Sequence, residues 1–77
     1  MKRAKETERK VDLLVYANLA MISHHLFGEC ERLLERGYVT VVDLENIKRL
    51  YKPYHELGGN GTGTKLYNDC LDLPVKK

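Results

Sequence analysis

The segment LLVYANLAMISHHLFGECERLLER, residues 13–36, decides the fold of this chain. Its apolar side chains recur at steps of three and four residues, which is the spacing of one face of an α-helix. The members of this stripe are Val15, Leu19, Ile22, Leu26, Cys30 and Leu33. Gly37 follows Arg36 and supplies a C-terminal stop. The pattern predicts a first helix over residues 11–36, about 39 Å long at 1.5 Å per residue, and the charged residues 2–10 either extend it or fray.

The residues after Gly37 predict a linker and a second helix. Residues 38–42 are mostly β-branched, but no second strand is evident to pair with them, so an extended linker is expected. Thr40 and Asp43 have the spacing of a capping box at a helix start. Apolar and aromatic residues then recur with a helical period until Gly58 and Gly59 end the helix. Pro53 predicts a kink or a local break within it.

A short third helix follows a polar turn made by Gly58, Gly59, Asn60 and Gly61. Either Asn60 or Thr62 is available as its N-cap. The helix carries apolar residues at one-turn spacing until Pro74 stops it. The sequence therefore predicts an all-α fold of three helices over residues 11–75, with residues 1–10 as a charged N-terminal extension.

Length and composition limit the class of protein. The chain has 77 residues, a formal net charge of +2 and two cysteines, which suits one small domain with reduced, buried thiols at Cys30 and Cys70. The uncharged run of residues 13–28 is shorter than the roughly 20 residues of a membrane span, and Glu6 and Glu8 interrupt the basic start of a signal peptide. We expect a cytoplasmic protein without direct membrane insertion.

The first helix is too long for its partners. The second and third helices, of roughly 15 and 10 residues, would span about 22 and 15 Å. They would leave part of the 39 Å apolar stripe of the first helix exposed to water. Large exposed apolar patches usually mark interfaces. The sequence predicts a homodimer, and the predicted dimer interface is the ridge of Val15, Leu19, Ile22 and Leu26.

Two catalytic or ligand-binding interpretations fail on spacing. Residues 58–65, GGNGTGTK, resemble a phosphate loop, but Thr64 stands where that motif needs lysine, and no strand precedes it. A helix-to-helix turn whose glycines adopt positive φ is the better interpretation. Residue types that bind metals occur at His24, His25, His55, Glu29 and Cys30, but their spacing defines no third ligand. We expect no enzyme activity, no metal and no cofactor.

Tyrosines and lysines alternate near the second and third helices. Tyr51, Tyr54 and Tyr67 lie close in sequence to Lys48, Lys52 and Lys65, a pattern found on single-strand nucleic-acid-binding surfaces. Core packing of the rings and solvation of the lysines is the alternative interpretation. Lys48 and Lys52 are four residues apart and share one helix face.

Residues 51–67, YKPYHELGGNGTGTKLY, together with Leu73 and Pro74, resemble small proteins of unknown role from phages and prophages of Gram-positive bacteria. Their pattern is an aromatic-rich helix, Tyr-His-x-Leu-Gly-Gly-Asn-Gly, a short helix and then Leu-Pro. The similarity also includes residues 36–40 and 44–46 and covers about residues 17–75.

Many of these proteins carry an N-terminal membrane segment and a coiled stretch before this domain, a layout similar to that of membrane-associated replication organisers of small tailed Bacillus phages. A phage origin implies the cytoplasm of a bacterial host cell as the location. This resemblance implies a homeodomain-like three-helix dimer that binds DNA without sequence preference. It implies nucleic-acid-binding positions at Lys48, Lys52, Lys65 and Asn68. The present chain departs from that layout because its start is charged and carries no anchor, and its small net charge predicts weak DNA binding.

The leading hypothesis is a non-catalytic phage-type module that dimerises and binds single- or double-stranded DNA without strong sequence preference. The alternative is a protein–protein interaction module, such as a phage assembly or lysis component or an inhibitor of a host factor. A basic face fits both, because phosphates and acidic protein surfaces attract the same lysines.

Overall fold

The computed structural model describes the backbone of residues 2–77 and the side chains of residues 7–77. This part of the chain forms three α-helices and no strand: α1 is Lys2–Arg36, α2 is Val41–Glu56 and α3 is Thr62–Leu71. The predicted all-α, three-helix fold is confirmed. At 1.5 Å per residue, the 35 residues of α1 span about 52 Å. They account for nearly the whole 56 Å length of the molecule.

The first helix includes the charged N-terminal extension. The sequence left open whether residues 2–10 extend the helix or fray, and α1 begins at Lys2, so they extend it. Residues 2–10 consist largely of Lys, Arg, Ala and Glu, which have high helix propensity. The apolar stripe starts later than the helix because charged residues with high helix propensity continue a helix without contributing apolar side chains to one face.

The core lies at the end of α1 that α2 and α3 cover. Seven side chains are at most 4% exposed: Leu26, Cys30, Leu33, Val39, Ile47, Tyr54 and Cys70. Partly buried residues, including Leu19 and Ile22, pack around them. We refer to residues 19–77 as the body and to residues 7–18 of α1 as the arm.

The start of α2 is held by the predicted capping box. The Thr40 hydroxyl accepts a hydrogen bond from the Asp43 backbone N–H at 3.1 Å, and the Asp43 carboxylate accepts one from the Thr40 N–H at 2.9 Å. Arg36, the last residue of α1, donates to the same carboxylate, and Arg32 lies 3.6 Å from its other oxygen. One buried acid therefore caps α2 and links it to α1.

Pro53 does not break α2. The helix is continuous from Val41 to Glu56 with Pro53 inside it, so the predicted local break is wrong. The Leu57 N–H donates to the Pro53 carbonyl at 2.9 Å, and Tyr54, the next residue, is buried in the core. Tertiary packing at Tyr54 holds the helical turn that proline by itself weakens.

The C-terminal residues return to the linker before α2. Val39 and Val75 form an isolated parallel bridge. The Val39 N–H donates to the Pro74 carbonyl at 2.9 Å, and the backbone N–H of Lys76 donates to the Val39 carbonyl at 2.8 Å. The expectation that the β-branched linker has no pairing partner was therefore wrong at Val39. The Tyr38 ring is contacted by the cations of both Arg36 and Lys76, 4.1 and 4.3 Å from its centroid.

Candidate interaction surfaces

The arm carries large apolar side chains that the body does not cover. Those that are more than half exposed are Val11, Leu13, Leu14 and Tyr16; Met21, three residues beyond the arm on α1, is exposed to a similar degree. Val15 is less exposed, at 37%, because it lies on the same stripe as the core residues. A run of exposed apolar residues on one helix is typical of an interaction surface.

The predicted dimer ridge is divided between the arm and the core. Val15 is exposed, whereas Leu19 and Ile22 are partly buried against the body. Leu26 has no exposed surface in the single chain, so its assignment to an intermolecular face has to be corrected. Leu26 is buried because α2 and α3 extend far enough along α1 to cover it. Periodicity alone does not show where these two helices end along α1.

The α1 surface turned away from the body is also uncovered. At 3.6 residues per turn, Ala17 and Gly28 lie about 180° and 200° around the helix from Leu26. We call this surface the outer face; its members are Leu13, Ala17, Ala20, Met21, His24 and Gly28, all exposed. A Cβ atom added at Gly28 would meet nothing within 4 Å. Sequence reasoning missed this face because its small residues contribute little to an apolar stripe.

The three tyrosines near the lysines pack on one another. The rings of Tyr51 and Tyr67 are stacked, with centroids 4.1 Å apart and planes 3° from parallel, and His55 stacks 5.7 Å from Tyr51. The Tyr51 hydroxyl lies 3.0 Å from the Thr64 hydroxyl. Burial raises the pKa of Tyr67. These contacts join α2 to α3, and the Tyr51 ring is already engaged in stacking with Tyr67 and His55.

The four predicted nucleic-acid-binding residues are all exposed. Lys48 and Lys52 lie one turn apart on α2, and neither forms an ion pair within residues 7–77. Lys65 and Asn68 lie on α3, where the Lys65 ammonium pairs with Asp69 at 2.9 Å. Because Asp69 offsets the charge of Lys65, the available positive charge of this set belongs to Lys48 and Lys52.

The glycine-rich turn shapes the seat of Tyr54. Gly58 and Gly61 have positive φ values of 96° and 67°, which only glycine adopts readily. A Cβ at Gly59 would lie 2.6 Å from the Tyr54 ring, and one at Gly63 would overlap that ring as well. The Tyr54 hydroxyl donates to the Asn60 carbonyl at 2.7 Å.

This turn also determines how α3 begins. Gly61 occupies the N-cap position without a side-chain hydrogen bond, so the predicted caps at Asn60 and Thr62 were wrong. The carbonyl of Asn60 instead holds the Tyr54 hydroxyl. The Gly-Gly-Asn-Gly run therefore serves as a structural turn that packs α2 against α3.

The two cysteines and the histidines provide no evident chemistry. The Cys70 thiol donates to the Cys30 carbonyl at 3.5 Å, and burial raises the pKa of both thiols, that of Cys30 to about 12. Thiols of this kind are poor nucleophiles at neutral pH. Within residues 7–77, no three His, Cys, Asp or Glu side chains are grouped as metal ligands.

A groove of about 360 Å³ lies between α1 and α2. Its walls carry His25, Glu29, Asn46, Arg49 and Leu50. Glu29 pairs with Arg32, so its carboxylate is already engaged. The groove combines both charge signs and matches no single ligand class by its chemistry.

Comparison with protein-family models, with curated proteins and with solved structures found no match. Within the described residues, no helix has both the length and the apolar character needed to cross a membrane. Function has therefore to be inferred from the geometry of the chain itself.

Proposed function

We propose that this protein is a non-catalytic interaction module that forms a homodimer through α1. The observation that carries the proposal is the apolar surface of the arm and the outer face. Leu13, Leu14 and Met21 are each at least 60% exposed on a helix that extends beyond its own body. Burying such side chains stabilises an assembly by roughly 25 cal/mol for each Å² of apolar surface removed from water. Exposed apolar patches of this kind usually mark interaction sites.

The body supports this proposal because it does not need the arm. Its core residues belong to the second half of α1, to the linker and to α2 and α3. No described buried side chain lies before Leu26. The arm therefore adds little to the packing of the single chain, and its apolar residues are available for contacts with another molecule.

Sedimentation equilibrium over a tenfold range of protein concentration tests the proposal. The wild-type chain should show a monomer–dimer equilibrium, and Leu14→Glu should shift it toward monomer because a charge would enter a desolvated contact. Val42→Glu is the matched control, since Val42 and Leu14 are both 63% exposed and Val42 lies on α2. A wild-type chain that remains monomeric at every concentration overturns the proposal.

Nucleic-acid binding is the second candidate, and the exposure of Lys48 and Lys52 favours it. Two lysines one turn apart, without ion pairs among the described residues, can contact neighbouring phosphates. The phage resemblance stays a prediction that points the same way. Because the Tyr51 ring already stacks with Tyr67 and His55, the binding would depend on phosphate contacts and vary little with base sequence.

Fluorescence anisotropy with single- and double-stranded DNA at two salt concentrations tests this candidate. Binding should weaken steeply with salt, and the double substitution Lys48→Ala/Lys52→Ala should reduce it at low salt. Lys65→Ala is the matched control, because Lys65 is already paired with Asp69 and should matter less. Absence of binding at low salt would leave protein–protein interaction, with a phage or host protein or with a second copy, as the function.

A further inference from the structure

The charges along α1 change sign from one end to the other. Residues 2–12 carry five basic and three acidic residues, a formal net charge of +2, and residues 13–28 carry no formal charge. Glu31 and Glu35 follow, both exposed and without an ion pair within residues 7–77. Arg32 and Arg36 in the same stretch are engaged by Glu29 and Asp43. The formal net charge of α1 is therefore positive before the uncharged span, at +2, and negative after it, at −1 over residues 29–36.

The charge pattern of one α1 is complementary to that of a second α1 that runs in the opposite direction. Two α1 helices in parallel would place basic start against basic start. In an antiparallel pair, the uncharged spans overlap over about 24 Å and each basic start meets the acidic end of the other helix. Opposite charges that face each other across an interface set the orientation of the partners.

We propose that α1 pairs with the α1 of a second copy, antiparallel and through the outer face. The proposal rests on the self-association proposed above and adds the surface and the orientation. The outer face is selected because a partner helix must lie along the whole uncharged span. The opposite side of α1 is occupied by α2 and α3 from Leu19 onward, whereas the outer face is exposed throughout.

A two-fold axis between Ala20 and Met21 brings these features into one register. Lys10 then lies level with the partner's Glu31. Leu13 lies level with the partner's Gly28, and Ala20 with the partner's Met21. Large side chains therefore face small ones, the arrangement in which knobs of one helix fit holes of the other. The open space beside Gly28 receives the partner's Leu13. Such a contact is isologous and closes as a dimer.

Disulfide cross-linking with oxidised glutathione tests the register. Chains with Leu13→Cys are mixed with chains with Gly28→Cys, two exposed positions where the substitution leaves the core intact. The mixture should yield a cross-linked heterodimer. Each variant alone should yield little, because residue 13 and its symmetry mate lie about 22 Å apart along the axis in the antiparallel pair. Wild-type protein treated in the same way controls for Cys30 and Cys70, which are buried.

Charge reversal provides a second test with sedimentation equilibrium as its readout. Lys10→Glu and Glu31→Lys should each weaken dimerisation by roughly threefold to tenfold, and the double variant should recover most of the loss. Glu45→Lys, the same change at an exposed position on α2, should leave the dimer unchanged.

The outcomes separate this inference from the function on which it rests. Efficient cross-linking of Leu13→Cys with itself shows a parallel pair and overturns the antiparallel arrangement, while self-association survives. A dimer that forms no heterodimer cross-link and ignores both charge reversals places the contact elsewhere and also overturns the inference. A monomer at all concentrations overturns both.

Discussion

The arm and the body are parts of one continuous helix, yet similar residues have opposite environments in them. Leu14 is 63% exposed in the arm, whereas Leu26, twelve residues later on α1, has no exposed surface. Both lie on a regular helix, so local structure does not distinguish them. The difference lies in what packs against each residue. Helical structure by itself stabilises little; most of the stability of a helix in a folded protein comes from tertiary contacts.

The largest expected effect separates these two leucines. Leu26→Ala should lower the free energy of unfolding by about 2–5 kcal/mol, because it removes core contacts and leaves a cavity. Leu14→Ala should change the free energy of unfolding of the single chain by no more than about 0.5 kcal/mol. Urea unfolding at a protein concentration low enough to suppress association measures both. Equal losses would show that the arm contributes to the fold as the body does.

The first turn of α3 should also be sensitive to substitution, although the change at Gly63 adds an atom instead of removing atoms. Gly63→Ala would place a Cβ on the Tyr54 ring and should destabilise the body by about 1–3 kcal/mol through overpacking. Thermal unfolding followed by circular dichroism measures the change. The double variant Gly63→Ala/Tyr54→Ala is the control: if steric conflict is the cause, alanine at residue 63 should cost much less when the ring is absent.

The Asp43 carboxylate should make the stability of the body depend on pH in acid. Hydrogen bonds from Arg36 and from the Thr40 N–H lower the pKa of Asp43 from 3.8 to about 2. Since the folded-state pKa is the lower one, this stabilisation is complete above the unfolded value and is lost as pH falls from about 4 to about 2.

Asp43→Asn tests the contribution by removing the titrating group. The difference in unfolding free energy between wild type and variant should be largest near neutral pH, on the order of 2 kcal/mol, and should shrink below pH 4. Urea unfolding at several pH values measures it. A difference that does not change between pH 5 and pH 2 would contradict the assigned role of the carboxylate.

The smallest expected effect is a gain at Gly28. Gly28→Ala should stabilise the single chain by up to about 1 kcal/mol, because alanine favours a helix and meets no neighbouring atom. Thermal unfolding at low concentration measures this gain. If the outer face forms the dimer, the same variant should associate no more tightly than wild type. A stabilised chain that also dimerises more tightly would move the contact away from Gly28.

Sequence reasoning predicted the helices better than their surroundings. The three-helix fold, the capping box at Thr40 and Asp43 and the glycine-rich turn follow from spacing and residue type, which act over a few neighbours. Apolar periodicity left the start of α1 open, because residues 2–10 carry no apolar stripe and continue the helix by propensity. The N-cap of α3 was assigned to the wrong residues because side-chain caps are common but not obligatory.

The candidate surfaces were predicted only in part. Lys48, Lys52, Lys65 and Asn68 are exposed, as a surface site requires, but the pairing of Lys65 with Asp69 and the stacking of Tyr51 were not anticipated. The dimer ridge was assigned without knowing how far α2 and α3 extend along α1. As a result it included Leu26, which the body buries.

What the sequence determined by itself is local: where helices form, where glycine turns end them, and that α1 carries more apolar length than two short helices can cover. What only the tertiary structure decided is which part of that length remains uncovered, that Val39 pairs with the C-terminal residues, and that Tyr54 fills the space left by Gly59 and Gly63. The physical reason is range. Helix propensity and capping depend on neighbours within about four residues. Burial depends on residues that are distant in the chain and meet only after the helices have packed.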